Sequence, residues 1–155
     1  MRKIVGLFGT CAETTWRDDL AIPLLNEANV PFFNPVVKHW TSEARENEAR
    51  HAASDKVILQ IISSEDVSLS SLAESGWLAL HCHLRGQKLV LCIQDMPEHS
   101  EPRYDETGGR LKPNKTRVLV RAHISKLPPT VLENTVFVEE SIEEAVQRAI
   151  QLMQE

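Results

Sequence analysis

The sequence predicts a single three-layer α/β/α domain with a five-stranded parallel sheet in the order 2-1-3-4-5, on three observations. Five short apolar runs alternate along the chain with stretches of helical period. The first and third runs are almost continuously apolar, as strands covered on both faces must be. Each of those two runs leads into a loop of small polar residues, where open α/β sheets hold ligands.

Taken in order, Ile4 to Phe8 is the first strand, closed by Gly9-Thr10. Its short apolar stretch runs into Glu13 and Arg17, so the start reads as a strand rather than a secretory leader. A helix is expected from Thr15-Trp16, with Asp18 and Asp19 in its first turn, where the helix dipole favours acids. Pro23 inside the pattern means either a kink or a late start. Val30 to Pro35 gives a short second strand ending at Asn34-Pro35, and Ser42 to about Ala53 a polar helix. Asp55 precedes the third strand, Lys56 to Ile62.

The next helix, about Ser71 to Leu84, is expected to bury Leu72, Ala73, Gly76, Leu80 and Leu84, and to end at Gly86. Leu89 to Ile93 is the fourth strand. Asp95 to Lys115 carries three prolines, two glycines and no apolar period, which makes it a long loop and a candidate lid. Thr116 to Leu127 reads as a helix broken by Pro128-Pro129. Val136 to Val138 is the fifth strand, and Ser141 with Glu144 caps a closing amphipathic helix. The flavodoxin-like winding 2-1-3-4-5 sets the end of strand 1 beside the end of strand 3, so Gly9 to Arg17 faces Asp66 to Glu74.

Composition narrows the function. The 155 residues suit one domain, and 42% hydrophobic with 25% charged residues is ordinary for a globule. A net charge of −5 argues against a nucleic-acid polymer as partner. No apolar run approaches the roughly 18 residues of a membrane span. Cys11, Cys82 and Cys92 are scattered and odd in number, which fits reduced thiols in a cytoplasmic protein better than disulfides or a zinc site. His81-Cys82-His83 lies on a helix, where neighbours at i and i+2 diverge, so no metal centre is expected.

Glu74 is the candidate catalytic residue, and two readings of it compete. Ser71-Leu-Ala-Glu74 fits a capping box, in which the glutamate bonds back to the helix start. Alternatively the carboxylate opens into the crevice between the two strand ends. Cys11, in the first loop, has no histidine-containing motif near it in sequence to activate it as a nucleophile.

An ordered set of features, Gly9 after strand 1, Trp16-Arg17, Asn34-Pro35, Asp55 before strand 3 and Glu74-Ser-Gly76-Trp77, resembles the nucleoside 2-deoxyribosyltransferase-like family over residues 3–93. The resemblance implies N-glycosidic bond transfer or hydrolysis on a nucleoside or nucleotide, with Glu74 as nucleophile and a covalent glycosyl-enzyme. It implies no cofactor, and a homo-oligomer whose neighbouring chain completes the pocket. Asp66 and Glu48 correspond to the family's acids; Asp66 stands eight positions before Glu74 in a slightly longer loop, and Ser68 occupies the position of the shorter spacing.

Gly9, Thr10, Trp16, Arg17, Asn34, Glu48, Asp55, Asp66 and Trp77 are the expected substrate-binding residues. Arg17 near a helix start is suited to a phosphate or carboxylate, or else to a surface ion pair. Trp16 and Trp77 are candidates to stack on a base, or to serve as core. Two other readings remain open. One is a nucleotide-binding or sensory module that kept the fold without the chemistry, favoured by the altered acids. The other is an NAD-cleaving glycohydrolase of related topology.

Overall fold

The structure, a computed structural model, describes residues 1–11, 13–97 and 107–155. Five parallel strands form one sheet in the order β2-β1-β3-β4-β5. They are β1 (Arg2–Gly9), β2 (Phe32–Phe33), β3 (Asp55–Ile62), β4 (Lys88–Ile93) and β5 (Val136–Glu139). Leu59 of β3 is in register with Leu7 of β1 and Val90 of β4.

Alternate residues of the central strands feed two cores, as the period of two requires. Leu7, Leu59, Ile61 and Val90 pack with Leu25 of α1 (Ile22–Glu27) and with Ala145, Val146 and Ala149 of α6 (Ile142–Gln154). Ile58, Ile62, Leu89 and Leu91 pack on the other side. Their partners there are Leu72, Leu78 and Cys82 of α3 (Leu69–Arg85), Ile124 of α4 (Pro113–Ile124) and Val131 of α5 (Pro129–Asn134). The Ser141 and Glu144 capping box of α6 forms as its spacing predicts.

Three local expectations are corrected. The first helix neither kinks nor simply starts late: a π-helical turn, Arg17–Ala21, hands over to α1, and Pro23 occupies the first turn of α1, where its missing N–H is harmless. Pro129 does not merely end a helix; it begins α5, an element that the sequence reading omits. On α3 the buried face is Ser71, Leu72, Ser75, Leu78, Ala79 and Cys82, whereas Ala73, Gly76, Leu80 and Leu84 face outward. The cause is that serines pack as small residues once their polar groups are satisfied. Ser75 Oγ donates to the Ser71 carbonyl, which also accepts from Gln60 Nε2 beneath it.

Of the long segment after β4, residues 98–106 lie outside the described residues, and with them the middle of the expected lid. Its far end belongs to α4, which begins at Pro113 and whose Asn114 exchanges two hydrogen bonds with the backbone of Met96. No helix among the described residues is long and apolar enough to cross a membrane.

Candidate active site

A cleft of about 780 Å³ opens at the carboxyl ends of β1 and β3. Gly9 makes the junction possible. Its φ of 114° is open chiefly to glycine, and a Cβ there would land on the Ile61 carbonyl. The chain can therefore run flush against β3, and the Thr10 amide donates to Ile61 O at 2.8 Å. The Thr10 hydroxyl, almost wholly buried, accepts from the Ser63 amide at 3.0 Å and lies 2.6 Å from the Ser68 hydroxyl. Gly9, Thr10 and Cys11 thus form one wall of the cleft.

Ser68 controls the opposite wall. It adopts a left-handed conformation, φ 56° and ψ 41°, unusual for a residue with a Cβ, and α3 springs from it. Its amide donates to Asp66 Oδ2 and its hydroxyl to the Asp66 carbonyl, a local turn that satisfies the bend. The capping-box reading of Ser71 and Glu74 is therefore overturned. The helix starts at Leu69, Ser71 is inside it, and no side chain caps it. Glu74 lies beyond the first turn, where the helix dipole has faded, so the dipole does not hold its carboxylate ionised.

Glu74, Glu48 and Asp66 line the same cleft. Glu48 comes from the middle of α2 (Ser42–Ser54), whose start is fixed by the Thr41 hydroxyl accepting from the Ala44 amide. Partial burial raises the pKa of Glu74, and the negative charge of Glu48 raises it further. Burial also raises Glu48, opposed by the positive charge of Arg17. Two carboxyl groups that resist ionisation, one increasing the resistance of the other, mark a site where charge is held at a cost. Cys11 behaves oppositely to a reactive thiol. Burial raises its pKa more than Arg17 lowers it, and both glutamates add to the rise.

The expected ligand residues divide. Gly9, Thr10, Glu48, Asp66 and Trp77 border the cleft with Glu74. Trp77 is half exposed and stacks on His81 with ring centres 4.4 Å apart. Trp16, Arg17, Asn34 and Asp55 are absent from its walls. Arg17 is buried, and its guanidinium donates to the Leu7 carbonyl, the Thr10 carbonyl and Cys11 Sγ. Its cation lies 4.1 Å from the Trp16 ring centre, and Trp16 Nε1 joins it on the Thr10 carbonyl. The pair braces the Gly9–Cys11 wall from behind. Asn34 closes a turn by accepting from the Val36 amide. Asp55 begins β3, so it sits at the amino end of the sheet, where it pairs with His51 at 2.9 Å.

Sequence reasoning missed Trp40 and Arg45, which reach the cleft from the start of α2. Trp40 is 62% exposed, and a tryptophan just ahead of a polar helix with no apolar stripe to join was the available signal. Ser70 and Ser71 also border the cleft at the start of α3.

No curated protein sequence matches the chain. The family described as nucleoside 2-deoxyribosyltransferase like matches residues 2–96, the part that carries β1 to β4 and every wall of the cleft, and the chain belongs to that family.

Proposed function

We propose that the chain breaks the N-glycosidic bond of a nucleoside or nucleotide and passes the sugar to another base or to water, with Glu74 as nucleophile. The observation that carries this reading is the placement of Glu74 in the strand-end cleft, close enough to Glu48 for that charge to perturb it. In the first step Glu74 forms a bond to C1′ as the bond from C1′ to the base nitrogen breaks, and the base leaves with the electron pair. Glu48 is ionised when its charge acts on Glu74, so the departing base takes its proton from solvent in the open cleft. The negative charge of Glu74 stabilises the oxocarbenium-like transition state. In the second step a base nitrogen or water attacks C1′, Glu74 departs as a carboxylate, and the proton of the attacking group passes to the Glu48 carboxylate in the same cleft. Two inversions retain the configuration.

Asp66, Trp77 and Trp40 are the proposed contacts for sugar and base, the tryptophans offering faces for stacking. Incubation with deoxyadenosine and cytosine, and with a panel of nucleosides and their monophosphates, followed by separation of bases and nucleosides, tests the reading. Base exchange or free base is expected; neither across the whole panel contradicts it.

Assembly with a second copy is proposed on the outward face of α3, where Leu69, Trp77, Leu80 and Leu84 are each more than half exposed, the first two of them at the cleft. Light scattering on the full chain is expected to give twice the chain mass; a monomer at all concentrations contradicts it.

A further inference from the structure

Arg117 lies on α4, beyond the residues that the family matches, and its side chain is fully buried. A guanidinium is costly to bury, and desolvation accordingly lowers its pKa, opposed by the charges of Asp95 and Asp66. Its hydrogen bonds go to backbone carbonyls. Nε donates to Gln94 O at 2.8 Å, Nη1 to Val67 O at 3.2 Å, and Nη2 to Ser63 O at 3.1 Å and Asp66 O at 2.6 Å.

Three of those carbonyls belong to the loop that carries one wall of the cleft. Asp66 and Val67 immediately precede Ser68, whose left-handed conformation aims α3 and therefore Glu74. A strained residue persists only where its surroundings over-determine it, and the planar fork of an arginine fixes several carbonyls at once in a way that a lysine ammonium cannot. The neighbours of Arg117 on α4 continue the pattern. Asn114 pairs with the Met96 backbone and Arg121 donates to Ile93 O, so residues at i, i+3 and i+7 of one helix face all grip the end of β4 or the segment after it, and Arg117 extends that grip to the loop after β3.

We infer that Arg117 is the positioning residue of the cleft: its guanidinium holds the 63–68 loop in the shape that turns Glu74 and Asp66 towards the substrate. It touches no substrate itself. The inference rests on the glycosidic reading of the cleft only for its effect on turnover, and its effect on the loop can be measured without any activity.

The test compares the full wild-type chain with Arg117→Lys, Arg117→Met and Val131→Ala, the last a core truncation at the far end of the second core. Amide hydrogen exchange is followed over residues 63–72 and over the central strands, and kcat and KM are measured on whichever nucleoside the wild type turns over. Both Arg117 variants are expected to exchange at least about tenfold faster over 63–72, with β1 and β3 still protected. Their kcat is expected to fall about 10–100-fold with KM changed less than about threefold, and lysine does not rescue. Val131→Ala lowers the melting temperature without either local effect.

Wild-type exchange over 63–72 in Arg117→Lys and Arg117→Met overturns the inference. So does a uniform rise across the sheet, or failure of the lysine variant to fold, either of which would make the arginine a general stabiliser. If the wild type turns over no nucleoside, the glycosidic reading fails and the exchange measurement alone still decides the role of Arg117.

Discussion

The hydroxyls of Thr10 and Ser68, 58 positions apart in sequence, meet at 2.6 Å and join the loop after β1 to the loop after β3. Because Ser68 donates its proton to the Asp66 carbonyl, Thr10 is the donor of the pair. The same Thr10 oxygen accepts from the Ser63 amide. Thr10→Val keeps the shape but strands a buried amide and removes the bridge. It is expected to cost about 1–3 kcal/mol in urea unfolding, whereas Thr10→Ser stays within about 1 kcal/mol of wild type.

The coupling of Glu48 and Glu74 predicts the pH profile. Glu74 must be ionised to attack, and its pKa lies above the ordinary 4.5 through burial and through the charge of Glu48. The acid limb of kcat/KM therefore reports a carboxylate titrating above its usual range. Glu48→Gln removes the neighbouring charge, so the limb moves to lower pH, while the maximal rate falls about 10²–10⁴-fold through loss of the base that takes the proton in the second step. A limb that stays in place would separate the two groups.

The same shift has a consequence for stability. A carboxyl group raised in the folded state lends stability below its unfolded pKa and loses that contribution as the pH rises through the folded value. At pH 7 the ionised Glu74 has lost it, and a permanently neutral amide has not. Glu74→Gln is thus expected to raise the melting temperature at pH 7 by about 1–2 °C, with the gain vanishing at pH 4. The value stays small because Glu74 is exposed at the cleft surface.

Arg17 has a structural assignment that makes a separate prediction. Its bonds to the Leu7 and Thr10 carbonyls brace the first loop, so Arg17→Met strips the Leu7 carbonyl of both its guanidinium bonds and leaves the Thr10 carbonyl to Trp16 Nε1 and the Thr14 hydroxyl. Urea unfolding is expected to show a loss of about 3 kcal/mol. Retained stability with selective loss of binding to monophosphates would instead return Arg17 to the ligand.

The sheet was legible because covered parallel strands leave continuous apolar runs, and the winding followed from their alternation with helices. The juxtaposition of Gly9-Thr10 with Asp66 to Glu74 followed from that winding. The register of α3 did not, because apolar counting treats Ser71 and Ser75 as surface residues although their neighbours satisfy them. Trp16 and Arg17 read as ligand groups for a related reason: a sequence shows an arginine beside a glycine loop but not the carbonyls behind it. Asp55 was placed by resemblance, although its position at the start of β3 already put it at the amino end. Arg117 was invisible because its partners are backbone atoms of segments 23 to 54 positions away.

The proposed chemistry turns on the covalent step. A 2′-deoxy-2′-fluoro nucleoside slows both steps by destabilising the oxocarbenium-like transition state, and intact mass measurement after incubation reads what remains attached. One sugar is expected on the wild type, mapped to the peptide containing Glu74, and none on Glu74→Ala, with turnover of ordinary nucleosides lost in that variant. An unmodified wild type together with undiminished turnover by Glu74→Ala would contradict it.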